Sequence, residues 1–234
     1  MIYKLNKRLT AILTVVLSAL MFSYNVSAQR LTEYEVTVTN ATNNITFTPI
    51  FSLTHNLDAP SLFTIGEPAS VELEDLAEGG SPAQLEVFYD RIRRTVVEIN
   101  TAGDGPFTVA GESATYNIRA HSGSNYISIA AMLLPTNDSF MALNTERLPS
   151  RIGETVTYGA LGYDAGTELN DQWCFNIPGP QCDGTPNGEG TNTERTDRGD
   201  FVHISSGIHN TGDLTPEQYD WRNPVAIVTI TRVR

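Results

Sequence analysis

Apolar and polar side chains alternate along most of this chain, in short runs divided by Gly, Asn and Pro. Tyr34-Glu35-Val36-Thr37-Val38-Thr39 shows it most clearly: period-two alternation with β-branched residues predicts a half-buried strand. After a turn at Asn43-Asn44, Ile45 to Leu53 predicts a second. Val96-Val97-Glu98-Ile99 and Thr115-Tyr116-Asn117-Ile118-Arg119 predict two more. Tyr126-Ile127-Ser128-Ile129 alternates and then turns wholly apolar through Leu134. Phe201 to Ile204 and Val225 to Ile230 complete the set. Strands joined by turns, without helices between them, indicate an antiparallel β-sandwich.

One region breaks this rhythm. Pro68 to Ala77 and Pro82 to Arg93 hold helix formers, with Leu85, Phe88, Tyr89 and Ile92 near helical spacing. Pro68 and Pro82 sit where helices begin. The expectation is an all-β fold with one or two short helices at an edge, their aromatic stripe turned to the core.

The first residues follow a different logic. Lys4, Lys7 and Arg8 precede an apolar run from Leu9 to Phe22, and Val26-Ser27-Ala28 offers small residues for cleavage. That layout is a secretory signal peptide over 1–28, leaving a single domain over 29–234. The run is short for a membrane anchor, and no other stretch is long enough to span. The expected location is secreted or periplasmic. Loss of Lys4, Lys7 and Arg8 takes the formal net charge from −12 to −15. Such a surface repels phosphate backbones, which argues against nucleic acid and favours divalent cations.

Cys174 and Cys182 are the only cysteines. Pro178-Gly179-Pro180 bends the chain between them, and an oxidising compartment favours a disulfide closing that loop. The following stretch, 183–200, is polar and Gly-rich and is expected to form an exposed loop.

Candidate chemistry lies in two acidic bends. Asp138 follows the Tyr126–Leu134 strand. Asp164 and Glu168 flank Ala165-Gly166-Thr167, where Gly166 permits a sharp turn that aims both carboxylates at one centre. Calcium takes six to eight oxygens in flexible geometry, so these loops, completed by carbonyls and water, suit it. Solvated loop acids would look the same on spacing alone. Asp183 to Glu194 imitates an EF-hand loop but lacks flanking helices. Arg198-Gly199-Asp200 is an integrin-type tripeptide, and Asn40, Asn44 and Asn137 head N-glycosylation patterns. His203 is expected to be buried and hydrogen-bonded, and His209 solvated. No Gly-x-Ser-x-Gly elbow, His-Glu-x-x-His or phosphate loop is present, so the expectation is not an enzyme.

Several patches resemble the spondin domain of F-spondin and mindin and of stand-alone bacterial members. They include Tyr34-Glu35-Val36-Thr37, Phe47-Thr48-Pro49, Ser61 to Ser70, and Leu76-Ala77-Glu78-Gly79-Gly80. Leu134-Pro135-Thr136-Asn137-Asp138 is similar to the family's Pro-Ser-Pro-Asp-Trp loop. Tyr163-Asp164-Ala165-Gly166-Thr167 is similar to its Asp-Ala-Gly-Thr-Asp loop, and Asn223 to Thr229 to its closing strand. The resemblance implies a C2-like antiparallel β-sandwich with Ca2+ bound at one end by Asp138, Asp164 and Glu168. Two departures stand out: Glu168 replaces an Asp, and Ser139 replaces a Trp whose packing falls to Phe140. The implied role is an adhesion-type module for an extracellular protein, matrix or envelope surface. The alternatives are a secreted hydrolase using Asp164 and Glu168 as acid and base, and a carbohydrate-binding module with aromatics along one face.

Overall fold

The computed structural model describes residues 31–102, 107–121, 123–182 and 201–234. The expected signal peptide, the EF-hand-like stretch and the Arg-Gly-Asp tripeptide lie outside them. Among the described residues the strands are β1 (Leu31–Asn40), β2 (Thr46–Phe47), β3 (Ile50–His55), β4 (Val96–Ala102), β5 (Ser113–His121), β6 (Tyr126–Leu134), β7 (Ser139–Arg147), β8 (Thr155–Asp164), β9 (His203–Ile204) and β10 (Ala226–Arg232). The helices are α1 (Val71–Gly79), α2 (Ala83–Asp90) and α3 (Pro216–Tyr219).

All strand pairings are antiparallel, in the order β4-β3-β6-β7-β8-β10-β1-β5, with β2 added to β6 and β9 to β8. The two ends of this path approach one another. Asn100 Nδ2 donates to the Asn117 carbonyl at 3.3 Å, and Arg119 pairs with Glu98 at 2.9 Å. The sheet is thus wrapped nearly into a barrel, which leaves little unpaired edge. The fold is all-β, as the alternation predicts.

Two cores explain the two kinds of strand pattern. The first fills the interior between the wrapped halves and takes Val36, Val38, Ile127, Ile129, Leu133, Val228 and Ile230. β1 therefore alternates, with its other face in solvent. The second core lies outside the sheet, where Phe51, Leu53, Ala130, Phe140 and Ala142 meet Leu73, Leu76, Leu85 and Tyr89 of the helices. α2 packs on β4, and α1 reaches further, over β6 and β7. Both faces of β6 are covered, so every residue from Ile127 to Leu134 is buried and alternation disappears. Burying each of its large apolar side chains, Ile127, Ile129, Met132, Leu133 and Leu134, contributes roughly 1.5–3 kcal/mol. The Leu85-Tyr89 stripe is core contact, as expected, and Tyr89 donates to the Pro60 carbonyl at 2.9 Å.

α1 begins at Ser70, whose Oγ accepts from the Leu73 N–H at 3.2 Å, rather than at Pro68. The expected Ile45–Leu53 strand is interrupted by Thr48-Pro49 and appears as β2 and β3. β7 and β8 have no counterpart among the expected strands. β8 carries Gly159 and Gly162, which dilute the apolar signal for a packing reason: a Cβ on Gly162 would stand 2.9 Å from Trp221 Nε1, and one on Gly159 3.0 Å from Pro224 Cβ.

The register defines the two ends of the sheet. Leu134, Ser139, Asp164 and Ala226 mark one end of the sheet, and Tyr126, Arg147, Thr155 and Arg232 the other. The candidate acids lie at the first end. Arg91, Arg93 and Arg94 precede β4 at the second, which also holds Arg147, Arg232 and Arg234.

Candidate metal centre

The turn between β6 and β7 is tight and locally pinned. Leu134-Pro135 is cis, Thr136 Oγ1 donates to the Leu133 carbonyl at 2.6 Å, and it accepts from the Ser139 N–H at 3.1 Å. This presents Asn137 and Asp138 toward the loop that leaves β8. Ser139 pairs with Asp164 in register, so the two acidic bends come from neighbouring strands at one end of the sheet. Phe140 packs edge-on to Phe63 with ring centroids 5.3 Å apart and stacks on Tyr163 at 5.7 Å, anchoring the turn from the outer core.

The two loops are laced together. The Asp138 carbonyl accepts from the Ala165 N–H at 3.1 Å. Asp138 Oδ2 accepts from the N–H groups of Thr167 and Glu168 at 2.8 and 3.0 Å and from Thr167 Oγ1 at 3.3 Å. Asn137 Oδ1 accepts from the Gln172 N–H at 3.1 Å, and Asn137 Nδ2 donates to Asp171 Oδ1, also at 3.1 Å. Gly166, at φ +68°, makes the bend that folds Thr167 and Glu168 back onto Asp138.

The acids are not solvated loop residues. Asp138 is 0% exposed, Asp164 2% and Glu168 5%. Asp164 is internally satisfied: Oδ1 accepts from the Gly166 N–H at 2.9 Å and Oδ2 from Asn170 Nδ2 at 2.7 Å. Asp138 Oδ1 and both Glu168 oxygens are buried with no hydrogen-bond partner. The Asn137 amide lies close enough to favour the Glu168 anion but outside hydrogen-bonding geometry. Orphaned buried carboxylate oxygens are costly and call for a cause.

The electrostatics agree. Burial, then the charges of Glu78, Asp138 and Asp171, push the Glu168 carboxyl up to about 9. Burial, then Asp164 and Glu78, push Asp138 up to about 7, against the N–H groups of Glu168 and Thr167. Each acid thus holds a proton more tightly than a free carboxylate. Among the described residues no three His, Cys, Asp or Glu side chains form a ready-made metal cage. Closing one on an ion requires side-chain adjustment, which the three torsions of Glu168 permit.

Several residues of this end carry no sequence signal. Glu78 arrives from α1, sixty positions before Asp138, and acts through the fold alone. Asp171 stands three residues beyond Glu168 and adds its charge to the Glu168 carboxyl. His203, expected to be buried, is one-third exposed, with Nε2 3.8 Å from Asp164 Oδ1. The expected disulfide joins Cys174 to Cys182. Asp171 ties that loop to the centre, accepting from Trp173 N–H at 3.1 Å and from Asn176 Nδ2 at 2.6 Å. Two of the three glycosylation patterns are spent internally. Asn40 Nδ2 donates to the Ile45 and Thr108 carbonyls, and Asn137 is fully buried, whereas Asn44 is exposed.

A family model described as Spondin_N matches residues 33–180, which include both acidic bends and the helical layer. The chain belongs to the spondin N-terminal domain family. As a spondin domain it is an extracellular-type module of a generally non-enzymatic family. The closing strand lies beyond the matched range. A search of the curated proteins finds no match. No helix among the described residues is long and apolar enough to cross a membrane.

Proposed function

We propose that this spondin domain is a secreted, non-enzymatic module whose end loops are rigidified by one calcium ion. The observation that carries it is the trio of buried, unpartnered oxygens, Asp138 Oδ1 and Glu168 Oε1 and Oε2, set beside further carboxylates. A hard divalent cation taken up among them would replace the protons these acids otherwise retain and supply the missing partner. Asp138 and Glu168 would hold the ion directly. Asp164, whose oxygens already accept hydrogen bonds, keeps lone pairs for it and fixes the turn at Gly166. Backbone carbonyls and water would complete the shell. The ion's role is structural: it neutralises like charges and stiffens the loops that a protein, matrix or envelope partner would meet.

Calorimetry with calcium and with chelator tests this. A metal that binds only the folded chain stabilises it by about 2.7 kcal/mol when present at one hundred times its Kd. The melting temperature should fall in chelator, and Asp138→Asn should remove the difference while remaining folded. An identical melt in both buffers rejects the centre.

The raised Glu168 carboxyl also favours a second reading, a hydrolase in which it serves as general acid with Asp164 as base. Asp164 is already engaged by Gly166 and Asn170, which weighs against a free base. Turnover on a glycoside panel, lost in Glu168→Gln, would support that reading instead.

A further inference from the structure

Gln172 holds a left-handed backbone conformation, at φ +58°, and is 2% exposed. A non-glycine residue stays in that conformation only where its surroundings over-determine it. Here they do. The Gln172 N–H donates to Asn137 Oδ1 at 3.1 Å, on the turn that presents Asp138, and its carbonyl accepts from the Asp213 N–H at 2.8 Å. The side chain serves the 207–213 segment as well: Oε1 accepts from the His209 N–H at 2.9 Å and the Thr211 N–H at 3.5 Å, and Nε2 donates to the Gly207 carbonyl at 3.3 Å. One buried residue thus ties two loops that are far apart in sequence.

The outer segment is seated closely on residues 170–172. Thr211 Oγ1 donates to the Asp171 carbonyl at 3.3 Å, and a Cβ on Gly212 would stand 2.3 Å from the Gln172 carbonyl carbon. His209, Asn210, Thr211 and Asp213 are exposed. On the inner side, Asn137 Oδ1 is taken by the Gln172 N–H, so Asn137 Nδ2 faces the acids, donating to Asp171 and lying beside Glu168. Glu168 stands only four positions before Gln172. A shift of Glu168 is therefore passed along a short strip to the residue that anchors the outer segment.

We infer that Gln172 is a positioning residue of the calcium centre and couples it to the 207–213 segment, so that a filled centre holds this outer segment in place and loss of the ion loosens it. The inference rests on the calcium reading. Without the ion, Glu168 is repelled by Asp138 and Asp171, and the strain is relieved when the strip from Glu168 to Gln172 moves off the β6–β7 turn. With the ion, Glu168 is drawn toward Asp138 and Gln172 is seated on Asn137. Coupling between two sites is reciprocal, so whatever grips 207–213 from outside tightens calcium by the same factor. The centre thereby reports its occupancy on a surface that contains none of its ligands.

Hydrogen exchange in calcium and in chelator, read at the His209, Thr211 and Asp213 amides and paired with calorimetric titration of calcium, tests it. In the wild type these amides should exchange at least about fivefold more slowly in calcium. Gln172→Met keeps the volume and the backbone contacts but removes Oε1 and Nε2. It should abolish the calcium dependence at His209 and Thr211 and weaken calcium binding at least about fivefold. Gly212→Ala, which wedges the segment away while leaving Gln172 intact, should weaken calcium binding likewise. Circular dichroism checks that each variant is folded, and the wild-type comparison decides by itself if either is not. A merely structural glutamine lowers the melting temperature equally in both buffers and leaves calcium affinity untouched, and that result overturns the inference. So does exchange at 207–213 that ignores calcium in a wild type that titration shows to bind it, in which case the calcium reading survives. A wild type that takes up no calcium overturns both.

Discussion

Glu168 ionises near 4.5 as a free side chain, and burial beside Glu78, Asp138 and Asp171 lifts it to about 9. A proton bound more tightly by the folded than by the unfolded chain makes stability fall as pH rises between the two pKa values. For Glu168 that window runs from 4.5 to about 9, and for Asp138 from 3.8 to about 7. Denaturant unfolding in chelator should therefore show stability declining from mildly acidic to mildly alkaline pH. Saturating calcium should flatten the decline, because the ion takes the proton's place. Glu168→Gln, which cannot ionise, should flatten its alkaline part without metal. Stability that instead climbs across this window contradicts the assignment. His55 opposes the trend at acid pH. Burial lowers its pKa, so stability is lost as pH falls from 6.5 toward the lowered folded value. The acids themselves were legible as residue types in Gly- and Pro-bent loops. Their burial was not, because nothing local to Asp138 announces that Thr167 and Glu168 fold over it.

At the scale of elements, the loop leaving β8 does most of the shaping. It turns at Gly166, laces to Asn137 through Gln172 and Asp171, and is closed by the Cys174–Cys182 bridge. Closing so short a loop limits the unfolded chain by about 2–3 kcal/mol. The double variant Cys174→Ser, Cys182→Ser should lose stability of that order in urea titrations. Its calcium affinity should weaken as well, since Asp171 links the bridge to the acidic turn. Unchanged affinity would show the two features to be uncoupled. The bridge itself followed from compartment and the Pro-Gly-Pro bend. β7 and β8 did not follow from alternation: β7 faces two cores at its start, and β8 gives up side chains at Gly159 and Gly162 to admit Pro224 and Trp221.

For the whole molecule, two cores share one sheet, and β6 belongs to both. The helical layer is therefore part of the cooperative unit. Leu76→Ala, a truncation in α1 at a fully buried site, should cost about 2–5 kcal/mol and lower a single unfolding transition. A separate early transition for the helices would show that they are an independent lid. Strand alternation, the cysteine pair and the acidic bends were enough to determine an all-β module, its bridge and the residue types of its candidate centre, because those depend on local periodicity and bond reach. Tertiary structure decided the rest: that β6 is covered twice, that Glu78 lends its charge from a distant helix, and that three carboxylate oxygens end up buried without a hydrogen-bond partner. Burial and electrostatic coupling are sums over neighbours from every part of the chain, and no stretch of sequence contains them alone.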